Sequence, residues 1–192
     1  MSDLVIGQLV TPLTAYKAWD GIFAIDNGAY SGFRHDVFER ILHRDRDKKE
    51  HCLFVAIPDS VGNPIETNEL WKKRLTWVDT SWPLAYVAQN GIHEIQIPWD
   101  EFTCLFIGGL DPWKESVDVQ KLLTRAHKEN KHIHIGRVNG YKRFKYFTDL
   151  GAHTCDGSGI SRFDHMLVTI EEKMGSINKG LTRDEYRLKF YS

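Results

Sequence analysis

The stretch Ile22-Phe23-Ala24-Ile25-Asp26-Asn27-Gly28-Ala29-Tyr30 contains a unit that the chain repeats: a short apolar run, then an abrupt change to polar and turn-forming residues. Four residues are too few for a buried helix, and three of these four are β-branched or aromatic, so the run predicts a buried strand. The unit returns at Cys52–Ile57 before Pro58-Asp59-Ser60, at Leu84–Ala88 before Gln89-Asn90-Gly91, and at Thr103–Ile107 before Gly108-Gly109. It returns again at His132–Ile135 before Gly136-Arg137 and at His153–Cys155 before Asp156-Gly157-Ser158; Leu4–Ile6 is a further strand. Helix-period segments lie between: Pro12–Trp19, Arg34–His43, Ile65–Val78, Ser116–Glu129 and Tyr141–Leu150, with Phe163–Lys173 after the last strand. His93–Glu101 is broken by Pro98 and reads as a short turn of helix.

Alternating strands and helices predict parallel strands joined by helical crossovers. No Gly-x-Gly-x-x-Gly follows the first strand, which speaks against an open dinucleotide-binding sheet. Seven strands, with an eighth unplaced, predict a compact (β/α)8 TIM-type barrel with reduced elements. Such barrels typically need about 250 residues, and this chain has 192. We expect residues 1–174 to form one barrel domain and residues 175–192 a polar tail or helix. The charged run His43–His51 reads as a solvated helix end and loop.

The composition, 42% hydrophobic and 27% charged, suits a soluble globular protein. No apolar run approaches the roughly 20 residues that span a bilayer. The N-terminal MSDLVIGQLV lacks a basic segment followed by an apolar one, so a cytoplasmic protein is expected. With a net charge of −1, any nucleic acid must be held by a local basic face rather than by the whole molecule. Cys52, Cys104 and Cys155 each sit in or at the end of an apolar run and read as small core residues. Without a Cys-x-x-Cys pair or a histidine at zinc spacing, no metal or cofactor is expected.

In a barrel of this kind, chemistry is carried where strands end at their C-terminal edge. Those ends offer Asp26, Asp59 and Asp156, the amide of Gln89, the guanidinium of Arg137 and the Gly108-Gly109 pair. A polar residue there also caps the next helix, so each acid has a structural reading. The set goes further, because three acids at one mouth repel unless a ligand, cation or shared proton compensates. A divalent metal usually brings a histidine or a close carboxylate pair, and His132 and His134 lie within their strand rather than after it. A planar ring rich in hydrogen-bonding groups suits the set better: Asp and Gln pair with ring N–H and carbonyl groups, and aromatics stack. A further Asp can attack or stabilise an anomeric carbon.

In their order along the chain, Ile25-Asp26-Asn27-Gly28-Ala29-Tyr30, Val87-Ala88-Gln89-Asn90-Gly91, Ile107-Gly108-Gly109-Leu110 and the segment from Gly151 to Asp156 followed by Ser161-Arg162 resemble the motifs of the tRNA-guanine transglycosylases. That family consists of (β/α) barrels that replace guanine by a 7-deazaguanine through a covalent aspartyl–sugar intermediate. The resemblance implies Asp156 as nucleophile at C1′ and Asp26 as general base or substrate-orienting acid. It further implies Asp59 on the base edge, Gln89 with the Gly108 and Gly109 N–H groups on its carbonyl, and Asn27 and Tyr30 beside the substrate. The family's terminal zinc segment is missing here, and the chain is much shorter. Both departures point to the small relatives, found in phages and bacteria, that modify DNA rather than tRNA. Arg137, Lys142, Arg143 and Lys145, interleaved with aromatics, and Arg162 are then the candidate phosphate contacts. A flipped-out nucleotide, a free 7-deazaguanine base and a partner protein or second copy are the expected partners. A nucleoside hydrolase or N-glycosidase on the same barrel, a metal-dependent hydrolase and a non-catalytic base-binding protein are the rival readings.

Overall fold

Short apolar runs can satisfy their backbone groups only by pairing with one another, and seven strands here do so side by side. The computed structural model describes residues 4–14, 16–175 and 177–179. Its strands are β1 (Leu4–Ile6), β2 (Gln8–Val10), β3 (Phe23–Ile25), β4 (Cys52–Ala56), β5 (Leu84–Ala88), β6 (Cys104–Ile107), β7 (His132–Ile135), β8 (Thr154–Cys155) and β9 (Ile177–Lys179). Strands β2 to β8 form one sheet in chain order, every neighbouring pair parallel. This sheet curls as a half-barrel. Gly7 alone separates β2 from β1, which pairs in parallel with β9, Leu4 opposite Ile177. Among the described residues β8 and β9 share no ladder.

The helices are α1 (His35–Arg44), α2 (Pro64–Lys72), α3 (Val117–Lys128) and α4 (Tyr141–Asp149), which cross between strands of the sheet, and α5 (Ser158–Arg162) and α6 (Asp164–Met174), which follow β8. Two begin on side-chain caps. Asn63 accepts from the Glu66 N–H ahead of Pro64, and Ser116 accepts from the Val119 N–H. The β5–β6 connection has only two short 3-10 turns, Ile92–Glu94 and Trp99–Glu101.

Four expectations need correction. The helix expected over Pro12–Trp19 is absent: its described residues form a turn followed by irregular chain. Polar side chains have claimed that backbone. Gln8 donates to the Lys17 carbonyl at 3.1 Å and accepts from the Trp19 N–H at 2.8 Å, while Thr11 accepts from the Leu13 N–H at 3.1 Å. The helix expected over Ile65–Val78 stops at Lys72, and a 3-10 turn over Arg74–Thr76 follows. The charged run His43–His51 is not wholly solvated, since Asp45 is buried and held by Arg44 at 3.0 Å from its Nε. Finally, residues 177–179 of the expected tail form β9, and the rest of the tail, residues 180–192, lies outside the described residues.

Successive side chains on a strand alternate between faces. On the outer face Phe23, Ile25, Val55, Tyr86, Leu105, Ile107, Ile133 and Ile135 pack under the helices with Phe38, Trp71, Leu123 and Phe147. The inner face carries a smaller cluster: Ala24, Phe54, Ala56, Ala85, Val87, Cys104 and Phe106. Cys52 and Cys104 are buried and Cys155 half-buried, as core residues. No described helix is long and apolar enough to cross a membrane.

The outer layer turns on Trp71, which meets Tyr86 and Phe102 edge-on at 5.2 and 5.9 Å and donates its indole N–H to Glu101 at 3.0 Å. Replacing Trp71 by Ala is expected to cost about 3–5 kcal/mol, the usual range for a buried aromatic. Urea unfolding measures this as a lowered midpoint; a loss under about 1 kcal/mol would show that the layer does not depend on this ring.

Candidate functional site

Strand parity decides what reaches the concave face. Ile25, Ala88, Ile107, Ile135 and Cys155 belong to the outer cluster, so Asp26, Gln89, Gly108, Gly136 and Asp156, one residue further on, turn inward at one edge of the sheet. Asp59 joins them after the short extension Ile57-Pro58.

Asn27, Asp59 and Gln89 form a closed network across β3, β4 and β5. Asn27 donates to the Ile57 carbonyl and to Asp59 Oδ1, both at 2.8 Å, and accepts from the Ala29 N–H at 2.6 Å. Gln89 donates to Asp59 Oδ2 at 2.6 Å and accepts from the Gly62 N–H at 2.8 Å. Asn27 and Gln89 are both buried with both ends of their amides engaged, so they position Asp59 rather than meeting a substrate themselves. Burial pushes the Asp59 carboxyl up to about 6, against the pull of Asn27, Arg137 and Gln89.

Asp26 and Asp156 have opposite surroundings. Burial, then the charges of Asp156 and Asp59, raise the Asp26 carboxyl to about 7, with only the Gly28 and Asn27 N–H groups acting the other way. Burial also pushes Asp156 up. There, the hydrogen bond and electrostatic pull of His134, the Arg137 N–H and Lys114 outweigh it and hold the carboxyl below its usual range. His134 Nε2 lies 3.0 Å from Asp156 Oδ1, and the Arg137 N–H donates to the same oxygen at 3.1 Å. Among the described residues no protein hydrogen bond reaches Oδ2, and the side chain keeps 24% exposure.

The glycines serve packing more than ligand contact, contrary to expectation. The Gly108 and Gly109 N–H groups both donate to the Ala88 carbonyl, at 3.0 and 3.2 Å, so they are not open to a base. A Cβ on Gly108 would stand 2.6 Å from Val87, and one on Gly109 would stand 2.4 Å from the Trp113 ring. Their carbonyls are also engaged, accepting from Arg137 Nη2 at 2.9 and 3.0 Å. Arg137 holds a left-handed backbone (φ 57°) and lays its guanidinium 4.4 Å from the centre of the Tyr30 ring. Tyr30 itself is exposed at the rim.

Three of the five expected phosphate contacts are occupied within the protein. Arg137 is bound as above. Arg143 grips Asp111 through two hydrogen bonds at 2.7 and 2.9 Å, and Lys145 pairs with Asp149 at 2.8 Å. These partners lie too far along the chain, or too ordinarily on one helix turn, to be read as neutralising from composition alone. Lys142 and Arg162 are exposed.

Three residues at the site were not expected. His134 is one, and its signal was present in the sequence: His132-Ile133-His134-Ile135 alternates, so an outward Ile135 forces an inward His134. Thr154, which meets both histidines, follows by the same parity. Lys114 gave no signal; it is buried and donates to the Gly136 carbonyl at 2.8 Å, with burial lowering its pKa. A separate shallow groove between the β5–β6 connection and α3, lined by Ile92, Ile97, Trp99 and Leu122, contains none of these groups. No protein-family model, curated protein or solved structure matches the chain.

The raised Asp26 carboxyl makes stability depend on pH with a definite sign. Its ordinary value is 3.8 and its folded value about 7, so over that window the folded chain holds a proton that the unfolded chain has lost. This contribution is complete below pH 3.8 and disappears as the pH rises through about 7. Denaturant midpoints should therefore fall less steeply between pH 4 and 7 for Asp26→Asn than for wild type. Superimposable pH profiles would show that Asp26 ionises normally.

Proposed function

We propose that this chain is a base-exchanging transglycosylase on a compact (β/α)8 barrel, replacing a guanine in nucleic acid by a 7-deazaguanine, with DNA favoured over tRNA. The parallel pairing of β9 with β1 supports the barrel, because it supplies an eighth parallel strand on the free side of the N-terminal segment. One observation carries the function: two carboxyl groups at one mouth are driven in opposite directions, Asp156 toward the anion and Asp26 toward the protonated acid. Such divergence separates a nucleophile from an acid–base group.

The reaction then has two displacements. Asp156 Oδ2 attacks C1′, the C1′–N9 bond breaks, and the departing guanine takes the Asp26 proton onto N9 as the aspartyl–sugar ester forms. The incoming 7-deazaguanine returns a proton from N9 to Asp26 as that nitrogen attacks C1′, and the ester bond breaks to release the Asp156 carboxylate. Two inversions give overall retention at C1′. The Asp59 carboxyl, held by Asn27 and by Gln89 anchored on the Gly62 N–H, is the preformed group that reads the base edge. Tyr30, backed by Arg137, offers an exposed ring on which the base would stack. Lys142 and Arg162 remain as phosphate contacts, and a partner protein or second copy would supply the rest of the grip on a polymer with a cytoplasmic location.

Labelled guanine and 7-cyano-7-deazaguanine, offered with DNA and separately with tRNA, test this reading. Incorporation is expected with wild type and none with Asp156→Ala. Release of guanine without incorporation would replace transglycosylation by hydrolysis. Incorporation by Asp156→Ala would remove the proposed nucleophile.

A further inference from the structure

Below the acids at the edge, among the described residues, His132, His134 and Thr154 form a line beside the apolar inner cluster. His134 is 3% exposed and lies between Phe54 and Phe106, with ring centres 4.7 and 4.5 Å away. Its Nδ1 lies 2.8 Å from Thr154 Oγ1, and that hydroxyl lies 2.8 Å from His132 Nε2. At the other end, His134 Nε2 meets Asp156 Oδ1. The line thus runs from inside the sheet out to the mouth.

Hydrogen-bonding capacity fixes its direction. A carboxylate only accepts, so His134 Nε2 must carry the proton that reaches Asp156. When that ring carries a single proton, Nδ1 is an acceptor, and the Thr154 hydroxyl beside it donates to it. Having given its one proton, Thr154 Oγ1 accepts from His132 Nε2–H. Each link requires the next, and a second direction exists only when His134 carries two protons. Phe54 and Phe106 flank the His134 ring, and the low polarity they create strengthens each link.

We propose that His132, Thr154 and His134 form a directed hydrogen-bond relay that fixes one oxygen of Asp156 and leaves Oδ2 turned to the substrate. This rests on the reading of Asp156 as nucleophile. All three are positioning residues and act through Asp156, as second partners of catalytic groups commonly do. With Oδ1 held, the carboxylate plane cannot tilt, and Oδ2 keeps the alignment on which an attack at C1′ depends.

Ring nitrogen NMR of the histidines in the full chain, together with steady-state exchange kinetics, tests the relay. The expected wild-type spectrum places the His134 proton on Nε2, with a resonance that moves in Asp156→Asn. Thr154→Val, which keeps the shape and removes the hydroxyl, should abolish that tautomer preference. It should also lower kcat about tenfold, one hydrogen bond's worth, while KM stays within about a factor of two. Thr154→Ser should restore both. A wild-type proton on Nδ1, or a His134 signature and kcat indifferent to Thr154→Val, would overturn the relay. Absence of base exchange in wild type would instead overturn the transglycosylase reading, and the spectra would still decide the relay.

Discussion

A short strand in a curled sheet can send only every second side chain inward, and that restriction governs this molecule. Where an isoleucine or alanine at a strand end is needed beneath a helix, the following residue is committed to the concave side. Ile25, Ala88, Ile107, Ile135 and Cys155 all fulfil that outer role. Asp26, Gln89, Gly108, Gly136 and Asp156 therefore converge without any of them contributing to the helical layer. On the inner face Ala24, Ala56 and Ala85 are small, and Phe54 and Phe106 are the large members of its apolar cluster.

Convergence of three acids creates a repulsion that the fold distributes unevenly. Asp156 receives an imidazole and a backbone N–H, Asp59 receives two amides, and Asp26 receives only backbone donors. The negative charge settles where donors are strongest, and the proton stays where they are weakest. Lys114 and Arg137 moderate this without entering the acid cluster, each tied to glycine carbonyls at the ends of β6 and β7. Glycine is required at those ends because a side chain would strike Val87, Trp113 or Phe106. The same close packing that brings the carbonyls within reach of the two cations thus excludes any larger residue.

The sequence was most readable where apolar runs ended abruptly. Strands β3 to β8 and the three acids all carry that mark. Reading failed where a single long-range side chain overrode local preference. Gln8 unravels a segment that Pro12–Trp19 would otherwise form as a helix, and no pattern within that segment announces it. Strand β9, Ile177-Asn178-Lys179, has one apolar residue and hence no run to detect, and β2, Gln8-Leu9-Val10, has only two. Arg143 and Lys145 look like a basic face in the sequence because Asp111 is distant and the Asp149 pairing is invisible to composition. His134 was legible in principle: the alternation that turns Ile133 and Ile135 outward says where it must go.

The ladder between β1 and β9 joins the two ends of nearly the whole chain, Leu4 beside Ile177. On a ribosome the first strand emerges long before its partner, and one of its edges must wait. Local β–helix–β units can assemble as they appear, whereas this pairing has the largest loop to close. Until then β1 presents unpaired N–H and C=O groups, the kind of edge that recruits foreign strands. Its brevity, three residues followed at once by Gly7, limits how long a template it can offer during that interval.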